Sequence, residues 1–149
     1  MEKEMIVRNS IRIAAPMAAV WDSLTQPGWT KKYMYNCEVV SDWQPGSPVI
    51  WKMQHEGKDF VPVTGHVLKI QPGTYLQYTV FDPNAGMEDI PVNHLKVTYE
   101  LSEKDGYTQL NVTQDGYEHA ANGEKRYQEA VAGGGWSSIL EKIKELLES

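Results

Sequence analysis

The last part of the chain, residues 122–148, places the strongest constraint on the fold. Apolar side chains recur there at spacings of three and four, as on one face of an amphipathic helix, and Glu141, Lys142, Lys144 and Glu145 charge the other face. This pattern predicts one long helix of about 40 Å. A helix of that length must bury its apolar stripe against a large surface. The stripe comprises Tyr127, Val131, Trp136, Ile139, Leu140, Ile143, Leu146 and Leu147.

Three consecutive glycines, residues 133–135, lie inside the predicted helix. Glycine is unfavourable in a helix interior, and three of them cost about 2–3 kcal/mol relative to alanine. They allow the helix to approach a sheet closely, or they loosen it. A local kink, or a helix that begins only at Trp136, is therefore the alternative to one continuous helix.

The middle of the chain shows the period-two alternation of half-buried strands. The clearest case is residues 95–101, where Leu95, Val97 and Tyr99 alternate with polar residues. Turn signals rich in proline, glycine and aspartate separate the segments. Strands are predicted at about 5–13, 37–40, 49–55, 60–70, 75–81, 95–101 and 109–113, and short helices at 16–24 and 29–33.

These elements predict an α+β fold. Tight turns favour an antiparallel meander of about six to seven strands in one curved sheet, with two short helices after the first strand. The concave side of that sheet is the apolar surface against which the long C-terminal helix would pack. The chain length of 149 residues fits one domain, which we expect to span 1–149.

Charge and composition exclude several classes of partner. The net charge is −6 and the isoelectric point is about 5.2, without a basic stripe, so we expect no nucleic-acid binding. No apolar run is long enough for membrane insertion, and charges interrupt the N-terminus, unlike a signal peptide. Cys37 is the single cysteine, which suits a reducing compartment. We therefore expect a cytoplasmic protein.

The order and spacing of several segments resemble the START/SRPBCC superfamily, which has the helix-grip fold. Within it, the chain is most similar to the branch named for homology to an activator of a heat-shock chaperone ATPase, the AHSA-like branch. The resemblance covers nearly the whole chain and rests on Ile13–Pro16, Val20–Thr25, Gly65–Pro72, Leu76–Thr79, Val97–Leu101 and Gly135–Leu147. It implies a cavity between the sheet and the last helix. It does not imply one function, because relatives include lipid and polyketide binders, cyclases and chaperone cofactors.

The residues themselves predict neither a metal site nor a catalytic centre. The histidines (His55, His66, His94 and His119) show no metal-ligand spacing. Cys37 carries no signature of an activated nucleophile, so a small buried thiol is expected. The carboxylate pairs Glu88–Asp89 and Asp115–Glu118 are expected to be solvated. We therefore expect no cofactor, no metal and no catalytic residue.

The cavity implied by the resemblance can be given candidate residues from strand alternation and from the helix stripe. Such pockets are mostly apolar, with a few polar groups that orient the ligand. Here those groups would be Asn9, Tyr78, Tyr99 and Gln114. The alternative is that the same side chains fill a core by packing against one another. The candidates are Trp51, Met53, Tyr78, Val97, Tyr99, Val112, Gln114, Tyr127, Val131, Trp136, Ile139 and Leu140.

Three functions remain open. The favoured one is non-catalytic binding of a small hydrophobic or aromatic molecule, lipid-like or polyketide-like. The second is a protein-interaction module that stimulates a chaperone ATPase. The third is an enzyme resembling polyketide cyclases or dehydratases, with ionisable candidates limited to His55, His66, Tyr78 and Tyr99. Self-association through exposed sheet edges is also open.

Overall fold

The computed structural model describes residues 5–84 and 86–148, and for His55 the backbone alone. Within these residues, seven antiparallel strands form one sheet in the order β1-β7-β6-β5-β4-β3-β2. This confirms the predicted α+β meander. The strands are β1 Val7–Ile13, β2 Glu38–Val40, β3 Pro48–His55, β4 Lys58–Gln71, β5 Tyr75–Val80, β6 Leu95–Lys104 and β7 Tyr107–Asp115; the helices are α1 Met17–Thr25, α2 Pro27–Tyr33, α3 Gly123–Ala132 and α4 Ser137–Glu148.

Alternation along the central strands determines which face of the sheet is buried. In β6, Val97, Tyr99 and Leu101 are all buried, and they belong to one core cluster with Leu110 and Val112 of β7. The register shifts between Trp51 and Met53 in β3 and again between Val67 and Lys69 in β4. Such bulges bend strands and increase their twist, which curves the sheet around its concave side.

The two short helices after β1 are fastened to the core by hydroxyl groups. Tyr33 Oη donates to the Ser23 carbonyl at 2.5 Å, which joins α2 to α1. Thr30 Oγ1 donates to the Cys37 carbonyl and accepts from the backbone N–H of Val39, at 3.1 and 3.0 Å. These bonds position the segment between α2 and β2, which borders the cavity described below.

The prediction of one continuous helix over 122–148 is wrong in its middle. The chain forms α3, then a break over residues 133–136, then α4. Gly134 and Gly135 adopt left-handed backbone angles, with φ of 84° and 61°, which helical geometry does not allow. Asn9 of β1 holds the break: its Nδ2 donates to the Gly134 carbonyl at 3.2 Å, and its Oδ1 accepts from the backbone N–H of Trp136 at 2.9 Å.

Helix α4 packs against the concave face of the sheet. Leu140 and Ile143 are each 1% exposed and pack in the core cluster that the strands supply. The apolar face of helix α3 is not in line with that of α4, because the break lies between them. Helix α3 therefore contributes less to that core. None of the helices in the described part of the chain is long and apolar enough to cross a membrane.

Candidate functional site

A cavity of about 440 Å³ lies between the concave face of the sheet and the junction of α3 with α4. That volume falls within the range of about 300–1,000 Å³ that small-molecule sites occupy. Strands β1 and β3–β7 line one side, and the segment before β2 lines another. The lining residues are Val7, Met34, Tyr35, Cys37, Trp51, Met53, Pro62, Val63, Tyr78, Val80, Val97, Gln114, Tyr117, Ala130, Gly135, Trp136 and Ile139.

The structure brings part of the expected set together at this cavity. Five of the predicted residues lie on strands, where alternation turns their side chains toward the cavity. Two others, Trp136 and Ile139, lie at the α3–α4 break and in α4. The residues from the sequence prediction that line the cavity are Trp51, Met53, Tyr78, Val97, Gln114, Trp136 and Ile139.

Five other candidates lie elsewhere. Tyr99, Val112 and Leu140 face inward but are covered by other side chains and fill the core. Tyr127 stacks edge-on against Tyr117, with ring centroids 5.5 Å apart, in a separate cluster. Val131 is 51% exposed, because the glycine break changes the phase of α3 relative to α4.

Sequence reasoning missed ten lining residues, for three reasons. Val63 was missed because its placement follows from pairing with Trp51, and the register of that pair could have indicated it. The segment 34–37 was missed because Tyr35 and Asn36 have positive φ angles of 50° and 65°, and such a segment has no periodicity to detect. The remaining six depend on how separate elements pack, and they are Val7, Pro62, Val80, Tyr117, Ala130 and Gly135.

A pair of buried tyrosines stands at the wall of the cavity. Tyr78 Oη and Tyr99 Oη are 2.6 Å apart and hydrogen bonded, and their rings meet edge to face at 5.5 Å. Burial raises the pKa of both phenols and also that of Tyr33. All three hydroxyls therefore stay protonated at neutral pH.

A second polar contact fixes the large indole at the α3–α4 junction. Trp136 Nε1 donates to Gln114 Oε1 at 2.9 Å, and the indole meets Tyr99 edge to face at 5.9 Å. Asn9, expected as a ligand-orienting group, has both ends of its amide bonded to the backbone of residues 134 and 136. That expectation was wrong, since Asn9 shapes the cavity wall instead.

The lining is uncharged. It contains no Asp, Glu, Lys, Arg or His side chain among the described residues. Cys37 is buried, and desolvation raises the pKa of its thiol, which disfavours the reactive thiolate. The cavity can therefore enclose apolar surface and offer hydroxyl and amide groups, and it supplies no ionised acid or base.

The outer face of the sheet carries a hydrogen-bonded chain that sequence spacing did not reveal. Thr79 Oγ1 lies 3.3 Å from His66 Nδ1 and 3.2 Å from His94 Nδ1. His94 Nε2 lies 2.6 Å from Asp89 Oδ1. If the imidazole of His94 is neutral and donates to Asp89, its Nδ1 accepts from Thr79. The described residues contain no group of three or more His, Cys, Asp or Glu placed to hold a metal ion.

Asp89 contacts His94 within this arrangement, and its side chain is still 69% exposed, as expected for a solvated loop carboxylate. Phe81 stacks on His94 with centroids 4.8 Å apart, and the backbone N–H of His66 donates to Thr79 Oγ1 at 3.0 Å. Together these contacts attach the segment before β6 to strands β4 and β5. The side chain of His55, another of the ionisable candidates, lies outside the described residues.

Solved structures with the same architecture match nearly the whole length of the chain. A protein of Cytophaga hutchinsonii, determined in solution, is 33% identical, with a TM-score of 0.77 and coverage of 99% of this chain and 97% of that one. The Aha1 dimer from Colwellia psychrerythraea is 17% identical, with a TM-score of 0.68 and 96% of each chain covered.

A third structure, DynU16 from the dynemicin biosynthetic locus, is 17% identical with a TM-score of 0.70, and the match covers 99% of this chain and 48% of that one. At this identity the last two comparisons indicate the fold alone. No curated protein matches the sequence significantly.

The family comparison agrees with the geometry. The model of the family described as "Activator of Hsp90 ATPase homolog 1-like protein" matches residues 14–148, which includes every strand after β1 and all four helices. The resemblance in the sequence is thereby confirmed, and the chain belongs to the Activator of Hsp90 ATPase homolog 1-like family, in the START/SRPBCC superfamily.

Proposed function

We propose that this protein binds a small, uncharged and largely apolar molecule in the cavity between the sheet and the α3–α4 junction, and releases it unchanged. The observation that carries the proposal is the lining itself: about 440 Å³ of space walled by aromatic, aliphatic and thioether side chains. Enclosing apolar ligand surface stabilises a complex by about 25 cal/mol per Å² removed from water.

The absence of charge in the described lining favours a neutral ligand. A carboxylate or ammonium moved into such a cavity loses its hydration, and no lining side chain offers an opposite charge in return. The same property argues against turnover, since general acid–base catalysis needs a group that titrates near the working pH. The pKa values of Tyr78 and Cys37 are shifted upward, away from that range.

Intrinsic fluorescence provides a direct test, because Trp51 and Trp136 line the cavity. Titration with neutral polycyclic aromatics and neutral lipids should give a saturable change in emission. Ala130→Phe, which places a ring in the cavity wall, should weaken binding about tenfold or more, or about 1.4 kcal/mol. Ala132→Phe is the matched control, because Ala132 is exposed on the same helix and outside the lining.

The two variants also decide what a negative result means. Equal affinity in wild type, Ala130→Phe and Ala132→Phe would place the ligand outside the cavity and contradict the proposal. A folded wild type that responds to no neutral compound would contradict it as well.

The family description favours a second candidate, docking on a chaperone ATPase. Such docking would use the outer surface. It would therefore persist in Ala130→Phe, which separates the two functions within one set of variants.

A further inference from the structure

The hydroxyl pair at the cavity wall has one proton more than its own hydrogen bond uses. Tyr78 and Tyr99 each carry one phenolic proton, and the 2.6 Å contact between their oxygens consumes one of them. The other needs an acceptor. Among the described residues, no further hydrogen bond is recorded for either oxygen, and Tyr33, the third buried tyrosine nearby, donates to the Ser23 carbonyl instead.

The surroundings decide which tyrosine keeps the second proton. Tyr99 is 1% exposed and is enclosed by the core, whereas Tyr78, equally buried from bulk solvent, lines the cavity. Only Tyr78 therefore has open space beside it. If Tyr99 donates to Tyr78, the Tyr78 O–H is free to turn toward the cavity that this residue lines.

Gln114 adds a second donor to the same wall. An indole N–H can only donate, so the amide oxygen of Gln114 must face Trp136 Nε1, 2.9 Å away. The NH₂ end then points away from the indole. No partner for it is recorded among the described residues, and Gln114 lines the cavity.

We infer that the ligand carries a hydrogen-bond acceptor, a carbonyl of the ketone or quinone class on a neutral aromatic body, which accepts from Tyr78 Oη. This rests on the proposed function and names the chemical class of its ligand. A hydrocarbon would leave the buried Tyr78 proton without a partner. A ligand that presents only donors would meet donors on Tyr78 and Gln114.

The test compares two neutral tricyclic probes of nearly equal shape, fluorene and fluorenone, which differ by one carbonyl. Wild type should bind fluorenone about three- to tenfold more tightly than fluorene, the range expected for one neutral hydrogen bond. Tyr78→Phe should abolish that preference, so that fluorene and fluorenone bind with equal affinity. Tyr99→Phe removes the neighbour but leaves the Tyr78 donor, so the preference should persist.

A spectroscopic measurement on wild type keeps the inference testable if a variant does not fold. The carbonyl stretch of bound fluorenone should move to lower frequency than in an alkane solvent, as for a hydrogen-bonded ketone. Equal affinity for both probes with an unshifted stretch overturns this inference and leaves the proposed function standing. Binding of neither probe contradicts the proposed function and this inference with it.

Discussion

At the scale of single residues, one hydroxyl on the outer face of the sheet holds several groups together. Thr79 Oγ1 accepts from the His66 backbone and lies within hydrogen-bond distance of both His66 Nδ1 and His94 Nδ1. Thr79→Val keeps the shape of the side chain but leaves these groups without their partner. It should lower the free energy of unfolding by about 1–3 kcal/mol, measured by urea denaturation.

Thr79→Ser is the matched control, because it keeps the hydroxyl. Its stability should lie much closer to wild type than that of Thr79→Val. If Thr79→Val is as stable as wild type while Thr79→Ser is destabilised, the buried methyl group of Thr79 matters and the hydrogen-bonded chain does not.

The residues around Thr79 also show where prediction from the sequence stops. Alternation correctly indicated that Tyr78 and Val97 face the concave side, because side chains in one strand alternate strictly. It could not bring His66 and His94 together, since their meeting depends on how β4 and the segment before β6 lie against β5. Spacing along the chain carries no record of that packing.

At the scale of elements, the glycine segment between α3 and α4 makes a prediction of its own. Gly135 has φ of 61°, and an added Cβ would stand 2.5 Å from Asn9 Oδ1 and 2.7 Å from Val7 Cγ1. Gly135→Ala should therefore cost about 1–3 kcal/mol of stability, as measured by thermal or urea unfolding.

Gly133→Ala provides the comparison within the same three glycines. Gly133 has φ of −84°, and an added Cβ would make ordinary contacts at 3.5 and 3.8 Å. This variant should be neutral, or more stable by up to about 1 kcal/mol, because alanine restricts the unfolded chain. Equal losses in both variants would show that the break does not depend on left-handed backbone at Gly135.

The strands were predictable to within a few residues, and the last helix was not. β6 was expected at 95–101 and extends to Lys104, since strand ends depend on pairing with β7. The apolar stripe of the C-terminal region runs through both α3 and α4, so its period concealed the break. The three glycines are the feature of the sequence that indicates the break. The structure has the local kink that was the alternative to one continuous helix.

At the scale of the whole molecule, three phenols buried in one core should limit stability in alkaline solution. Burial raises the pKa of Tyr33, Tyr78 and Tyr99 above the ordinary value of 10.0. Below about pH 10, folded and unfolded chains both hold these protons, so stability does not depend on them. Above it, the unfolded chain releases protons that the folded chain retains, and the free energy of unfolding must fall as the pH rises.

Each such tyrosine contributes a slope of up to about 1.4 kcal/mol per pH unit, which urea denaturation across the alkaline range would measure. Tyr78→Phe should reduce the slope by one tyrosine's share. A slope unchanged by Tyr78→Phe would mean that this phenol ionises as readily in the folded protein as in the unfolded chain. The cavity wall would then be open to water, and neither the Tyr78 donor nor selection for a neutral ligand could operate as proposed.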